Sequence, residues 1–197
     1  MPAPSLLRAM PLVAPVAAAG TAVFFAAVLH MYYGHGPSTF AAVGAMLLAA
    51  TITEAYPVPI ESLPAGQVSL AAVFVVGAAV VYGWAEAAIV AFGARTAIEV
   101  IQRRPPEQLL YNGPVYALAA AAAGAASWNT EASSSTLVLA FDVLSAAFAF
   151  YLVNVVLVTA MIALATARSF GHLLATAAVR TIVPFAIIAV TSTTLTR

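Results

Sequence analysis

A chain of 197 residues that is 63% hydrophobic and 7% charged, with seven arginines, seven acidic side chains, no lysine and no cysteine, does not have the composition of a soluble domain. Soluble domains carry about a quarter charged residues, and a mean hydropathy of +1.02 excludes water as the solvent for most of this surface. The lack of cysteine removes disulfides, iron–sulfur ligation and thiolate catalysis, and zero net charge without a basic run removes a nucleic-acid footprint.

The chain is expected to fold as an all-α, polytopic transmembrane helical bundle, one integral membrane domain over 1–197 without linker or internal repeat. A span needs roughly 20 apolar residues, and six runs qualify. The first, about Pro11 to Tyr33, follows a single arginine as a signal peptide would, but its length and the spans behind it make it a retained helix. The turn Gly34, His35, Gly36, Pro37, Ser38 closes it. The second, about Thr39 to Tyr56, is closed by a stretch carrying Pro57, Pro59, Pro64 and Gly66, none suited to a helix interior. The third, Val68 to Tyr82, is short and meets the fourth, Trp84 to Gln102, at Gly83. The fifth runs from about Gln108 to Trp128 with Pro114 inside it. The sixth, about Thr136 to Ala167, would be roughly 48 Å long against a ~30 Å hydrocarbon core, so it tilts, projects or breaks. Residues Ser169 to Arg180, with Phe170, Leu173, Leu174, Ala177 and Ala178 set against His172 and Arg180, form either an interfacial amphipathic helix or a connecting turn. The last apolar segment, Thr181 to Leu195, has Pro184 near its start and is a short seventh span, a re-entrant piece or half of a longer helix.

Arginine bias sets the orientation. With the N-terminus in the cytoplasm, the loops at Tyr56 to Gln67, Arg103 to Glu107 and Arg168 to Arg180 are cytoplasmic. Every loop arginine except Arg197 then falls inside, and Glu131 lies in an external loop. The expected address is a bacterial cytoplasmic membrane, and the first partner is the lipid bilayer itself.

Ionisable groups inside a span are costly and invite a functional reading. Arg95, Glu99 and Arg103 follow each other at i, i+4 and i+8, so they share one helical face that climbs from the cytoplasmic end of the fourth span. Either Arg95 and Glu99 neutralise each other and snorkel, or they line a polar cavity with Arg95 as anchor for an anionic or zwitterionic ligand. Glu54 reaches a similar depth on the second span and is placed to pair with Arg95 or Arg103, or else to touch water at the interface. Asp142 is expected near the external face, solvated. Asn112 precedes Pro114, which frees the carbonyl four residues earlier, and Asn112 is the expected partner of that carbonyl. Asn154 reads as an interhelical hydrogen bond. A candidate ligand stripe therefore comprises Arg95, Glu99, Glu54, Asn112 and Asn154. Ala14, Ala18, Ala22 and Ala26 form a small-residue ladder for helix packing or partner docking. His30, His35 and Glu131 are the one set able to meet as metal ligands, but no ligand-spacing motif supports a metal. No Walker loop, GxSxG or dinucleotide fingerprint occurs, so no cofactor is expected. Enzyme chemistry would have to be built from Arg95, Glu99, Glu54 and Asp142 alone.

Glu-Ala-Tyr-Pro-Val-Pro (54 to 59), Val-Ser-Leu-Ala-Ala-Val-Phe (68 to 74), Tyr-Gly (82, 83), Arg-Arg-Pro-Pro (103 to 106), Tyr-Asn (111, 112), Tyr-Ala-Leu-Ala (116 to 119) and Tyr-Leu-Val-Asn (151 to 154) follow in an order that resembles a bacterial module. The stretch from Thr53 to Arg180 is similar to the multispan N-terminal membrane region found ahead of HD-GYP phosphodiesterase or GGDEF cyclase domains in actinobacteria and related groups. The resemblance implies a ligand-sensing input module that passes its signal to a cytoplasmic output domain or partner, and it implies no particular ligand residues. No output domain follows Arg197, so the module is expected either to be excised or to work with a separate partner protein. In layout the chain also resembles the six-helix substrate-binding components of vitamin transporters. Transport of a small molecule, or service as an accessory subunit of a membrane complex, are the alternative expectations.

Overall fold

The computed structural model describes residues 6–56, 58–59, 67–68, 70–127 and 136–177. Among them, six long or medium helices follow in order: α1 (Leu6–Gly34), α2 (Pro37–Ala55), α3 (Ala71–Val81), α4 (Trp84–Ile101), α5 (Pro106–Ala126) and α6 (Thr136–Thr166). A further helix, α7, covers 170–177, where the sequence left a choice between an interfacial helix and a turn. Among the described residues the architecture is helical apart from a two-residue antiparallel pairing, β1 (Val58–Pro59) with β2 (Gln67–Val68), in the proline-rich connection. The segment Thr181 to Leu195 and the loop holding Glu131 lie outside the described residues.

Three helices, α1, α2 and α6, are long and apolar enough to cross a membrane, which gives the chain the character of a membrane protein. They wrap the outside of the bundle. Their large side chains point outward: Phe25, Leu29, Leu48, Ile52, Phe141 and Phe148 are all exposed. The interior is built instead from α3, α4 and α5, where alanine and glycine dominate the buried set. Lipid tails are as apolar as leucine, so helices in a bilayer gain little by hiding large apolar groups from one another. They gain by close approach, which small residues permit.

Two glycines mark where that approach is tightest. A Cβ at Gly20 would lie 2.3 Å from the Pro114 carbonyl oxygen, so α1 rests directly on the α5 backbone. One at Gly124 would lie 2.4 Å from the Trp84 Cα, which pins the far end of α5 against the start of α4. The buried ridge of α1 is Ala9, Val16, Ala27 and Met31 together with Gly20. The ladder read for helix packing or partner docking, Ala14, Ala18, Ala22 and Ala26, is exposed and lies off that ridge.

Successive helices run in alternate directions. Ser127 Oγ donates to the Ala79 carbonyl at 3.3 Å and Ser145 Oγ to that of Ala126 at 3.3 Å, tying α3, α5 and α6 at one end. Tyr111 Oη donates to the Leu157 carbonyl at 2.7 Å and ties α5 to α6 nearer the other. Arg8, Arg103, Arg104 and Arg168 all lie at that second end, called here the arginine end. Two helices stop there in the same way. The Arg104 N–H donates to the Glu99 carbonyl at 2.9 Å and Arg168 to Ala163 at 3.1 Å, with Arg103 (φ 52°) and Ala167 (φ 53°) left-handed between them. This is the Schellman termination, made here without the glycine that usually takes the left-handed position.

Candidate functional site

The polar residues of the interior gather where α2, α4 and α5 meet, on the arginine side of the bundle. Glu54 stands one residue before the end of α2, Arg95 and Glu99 lie on successive turns of α4, and Asn112 and Tyr116 on successive turns of α5. Gly113 allows the approach, because a Cβ there would lie 2.6 Å from Thr96 Oγ1 and would push α5 away from α4. The adjacent Asn112 thereby comes within reach of Glu99.

Arg95 is the hub. Its Nη1 donates to Glu54 Oε1, its Nε lies 3.2 Å from Glu99 Oε1, and its guanidinium sits 5.3 Å from the centre of the Tyr116 ring. Asn112 Nδ2 donates to Glu99 Oε1 at 2.5 Å. Glu99 is 2% exposed and Glu54 9%, whereas the Arg95 side chain keeps 27% exposure. Both carboxylates are thus held inside, and the Arg95 side chain is the more open member of the cluster. Charge-assisted bonds of this kind strengthen as the surroundings lose water.

Four of the five stripe residues, Glu54, Arg95, Glu99 and Asn112, come together, and several expectations change. Glu54 is not an interfacial carboxylate in water but the interhelical partner of Arg95. Asn112 does not bond the carbonyl freed by Pro114; its amide goes to Glu99. Asn154 is not in the cluster: its Oδ1 is buried with no hydrogen-bond partner among the described residues. Arg103 leaves the stripe because α4 has ended, and it is exposed in the turn. Arg95, expected to anchor an anionic ligand, is already shared between two carboxylates.

A second polar set lies at the opposite end. Glu86, in the first turn of α4, is 1% exposed, and its Oε1 lies 3.3 Å from His35 Nδ1. The His30 ring stands 5.8 Å from His35 and 5.7 Å from Trp84. The sequence reading passed over Glu86, although an acidic residue two positions into a span carries the same signal as Asp142. Its place at a helix N-terminus suits a negative charge. Asp142 is itself 3% exposed rather than solvated, and its Oδ2 has no hydrogen-bond partner among the described residues. No group of three or more metal-ligating side chains gathers among the described residues.

An apolar crevice of about 400 Å³ opens between α1, α4 and α5, with Ala18, Thr21, Phe92, Thr96 and Pro114 among its walls. That volume lies within the range of small-molecule sites. No family model, curated protein or solved structure matches the chain.

Proposed function

We propose that this chain is a multi-pass input module of a bacterial cytoplasmic membrane, with six spans and the arginine end in the cytoplasm. The Glu54–Arg95–Glu99 cluster is its sensing site, and the state of that site passes to a cytoplasmic partner or output domain. One observation carries the reading. Glu99 holds the cluster with its side chain, while its own carbonyl accepts the Arg104 N–H that shapes the α4–α5 turn. A change at the carboxylate therefore moves the backbone that builds the arginine end. The short α3, with 11 residues, spans only about 16 Å by itself. It fits the six-span layout because it is enclosed by other helices, where irregular backbone beyond its ends is tolerated.

The cysteine-free chain makes the test direct. Single-cysteine variants Ser38→Cys and Arg104→Cys are labelled with a membrane-impermeant maleimide in vesicles of known sidedness. Ser38→Cys is expected to label only from outside and Arg104→Cys only from the cytoplasmic side. A fluorophore on Gln102→Cys then reports the turn. Introducing Glu54→Gln is expected to shift its emission, and an unchanged spectrum would remove the sensing role. The crevice between α1, α4 and α5 favours a second reading, capture of an apolar small molecule for transport. In that case filling it with Ala18→Phe abolishes uptake and leaves the Gln102 reporter unchanged.

A further inference from the structure

The crevice between α1, α4 and α5 is about one leaflet deep. Its floor includes Pro114, on which Gly20 of α1 rests. Toward the middle of the bundle aromatic rings close it, because Phe92 of α4 stacks on Phe24 of α1 with 4.3 Å between ring centres. From Phe92 to Ile101 at its last residue, α4 rises about 14 Å. That is close to half of a ~30 Å hydrocarbon core.

At the arginine end two walls of the crevice, α4 and α5, join in the turn that carries Arg103 and Arg104. Both side chains are exposed, and neither has a carboxylate partner among the described residues. Arg104 Nε donates to Gln102 Oε1 at 3.0 Å. Glu107, the carboxylate nearest to them in the chain, lines a separate cavity with Tyr111 and Met161, on the α6 side. Beside the arginines the surface is apolar: Val100 is 60% exposed, Ile101 68% and Leu110 61%. Two guanidinium groups thus head an apolar slot that ends at the Phe24–Phe92 stack.

We infer that the crevice holds one acyl chain of an anionic phospholipid, with the lipid phosphate on Arg103 and Arg104. The inference rests on α1, α4 and α5 crossing the bilayer, as the six-span reading has it, and not on the sensing role of the Arg95 cluster. An empty slot facing hydrocarbon leaves both of its walls without partner atoms, and acyl chain is the matter at hand to fill it. The arginine fork matches a pair of phosphate oxygens. Each cation beside an anionic headgroup favours it by about fivefold. A zwitterionic lipid fills the slot with the same chain, but its headgroup offers the two arginines no net charge. The bound phosphate lies on the turn whose backbone the Glu99 carbonyl helps to shape.

The test is native mass spectrometry of the full chain released from nanodiscs of equal parts phosphatidylglycerol and phosphatidylcholine. Phosphatidylglycerol is expected to be retained over phosphatidylcholine by about 25-fold, fivefold for each arginine. Arg103→Gln or Arg104→Gln alone is expected to lower that preference about fivefold, and the double variant to abolish it. Ala18→Phe fills the slot and is expected to abolish the retained lipid; if it does not fold, Thr21→Leu on the same wall carries this arm. Equal retention of the two lipids, a preference unchanged in the double arginine variant, or a lipid indifferent to the filled slot overturns the inference. An adduct of non-lipid mass that the filled slot removes gives the crevice to the small molecule of the transport reading and overturns it as well. If Ser38→Cys and Arg104→Cys label from opposite sides and no lipid is retained, only the lipid site falls. If they label from the same side, the six-span reading falls with it.

Discussion

Placing a methyl group at Gly20 perturbs the bundle at its closest contact. The added Cβ of Gly20→Ala would lie 2.3 Å from the Pro114 carbonyl oxygen, 2.5 Å from its Cα and 2.6 Å from its carbonyl carbon. Ordinary contact begins near 3.4 Å, so α1 and α5 must part by about 1 Å along this line. The obstacle is backbone on a proline, and no side chain can rotate away. Parting the helices also thins the contacts of Val16 and Ala27 on either side, and a gap of that size forfeits a quarter to a half of the dispersion attraction across it. Overpacking of this kind costs about 1–3 kcal/mol. Gly44, exposed in the middle of α2, is the internal control, because a Cβ there meets nothing within 4 Å. Gly44→Ala should stabilise α2 by about 0.5–1 kcal/mol through its smaller conformational freedom when unfolded. Reversible unfolding in mixed micelles, followed by circular dichroism, gives both free energies. The two substitutions are expected to differ in sign. If both shift stability in the same direction, or Gly20→Ala is neutral, the close α1–α5 contact is refuted.

Arg95→Met removes the guanidinium that Glu54 and Glu99 share and is expected to cost about 3–5 kcal/mol. The uncharged triple variant Glu54→Gln, Arg95→Gln, Glu99→Gln should recover most of that loss, as thermal unfolding of the two proteins would show. Tyr111→Phe removes the donor to the Leu157 carbonyl and is expected to cost about 1 kcal/mol by the same assay. Ala167 ends α6 at φ 53°, where a side chain crowds the backbone. Ala167→Gly is therefore expected to stabilise the chain by about 1 kcal/mol, measured as a rise in unfolding midpoint.

The helices were legible because their limits are written in residues with local consequences. Gly83, the prolines after Tyr56 and the Arg103–Pro106 stretch each disfavour a continuing helix for reasons of backbone geometry, and α3, α2 and α4 end before them. The Arg95–Glu99 pairing was legible for a similar reason, since a spacing of four residues fixes a shared face. Glu54 could be brought to Arg95 by depth alone. Contacts between helices were harder to read. On helices where alanine occupies every face, apolar periodicity does not distinguish the packed side from the exposed one. Ala14, Ala18, Ala22 and Ala26 suited helix packing as well as partner docking, and the contact within the bundle follows Val16, Gly20 and Ala27 instead. Asn112 was misread because its nearest need, the carbonyl freed by Pro114, is local, whereas its partner Glu99 comes from a neighbouring helix. Asp142 and Glu86 lie near helix ends, where sequence suggests water and only packing reveals burial.

Glu54 and Arg95 hold α2 to α4 through a part-buried charge pair within the helical bundle. A double-mutant cycle with Glu54→Gln, Arg95→Gln and their combination, read by unfolding free energy in lipid, tests it most directly. A coupling energy of about 1–3 kcal/mol is expected for groups in contact. Effects that simply add, to within about 0.3–0.5 kcal/mol, would contradict the claim.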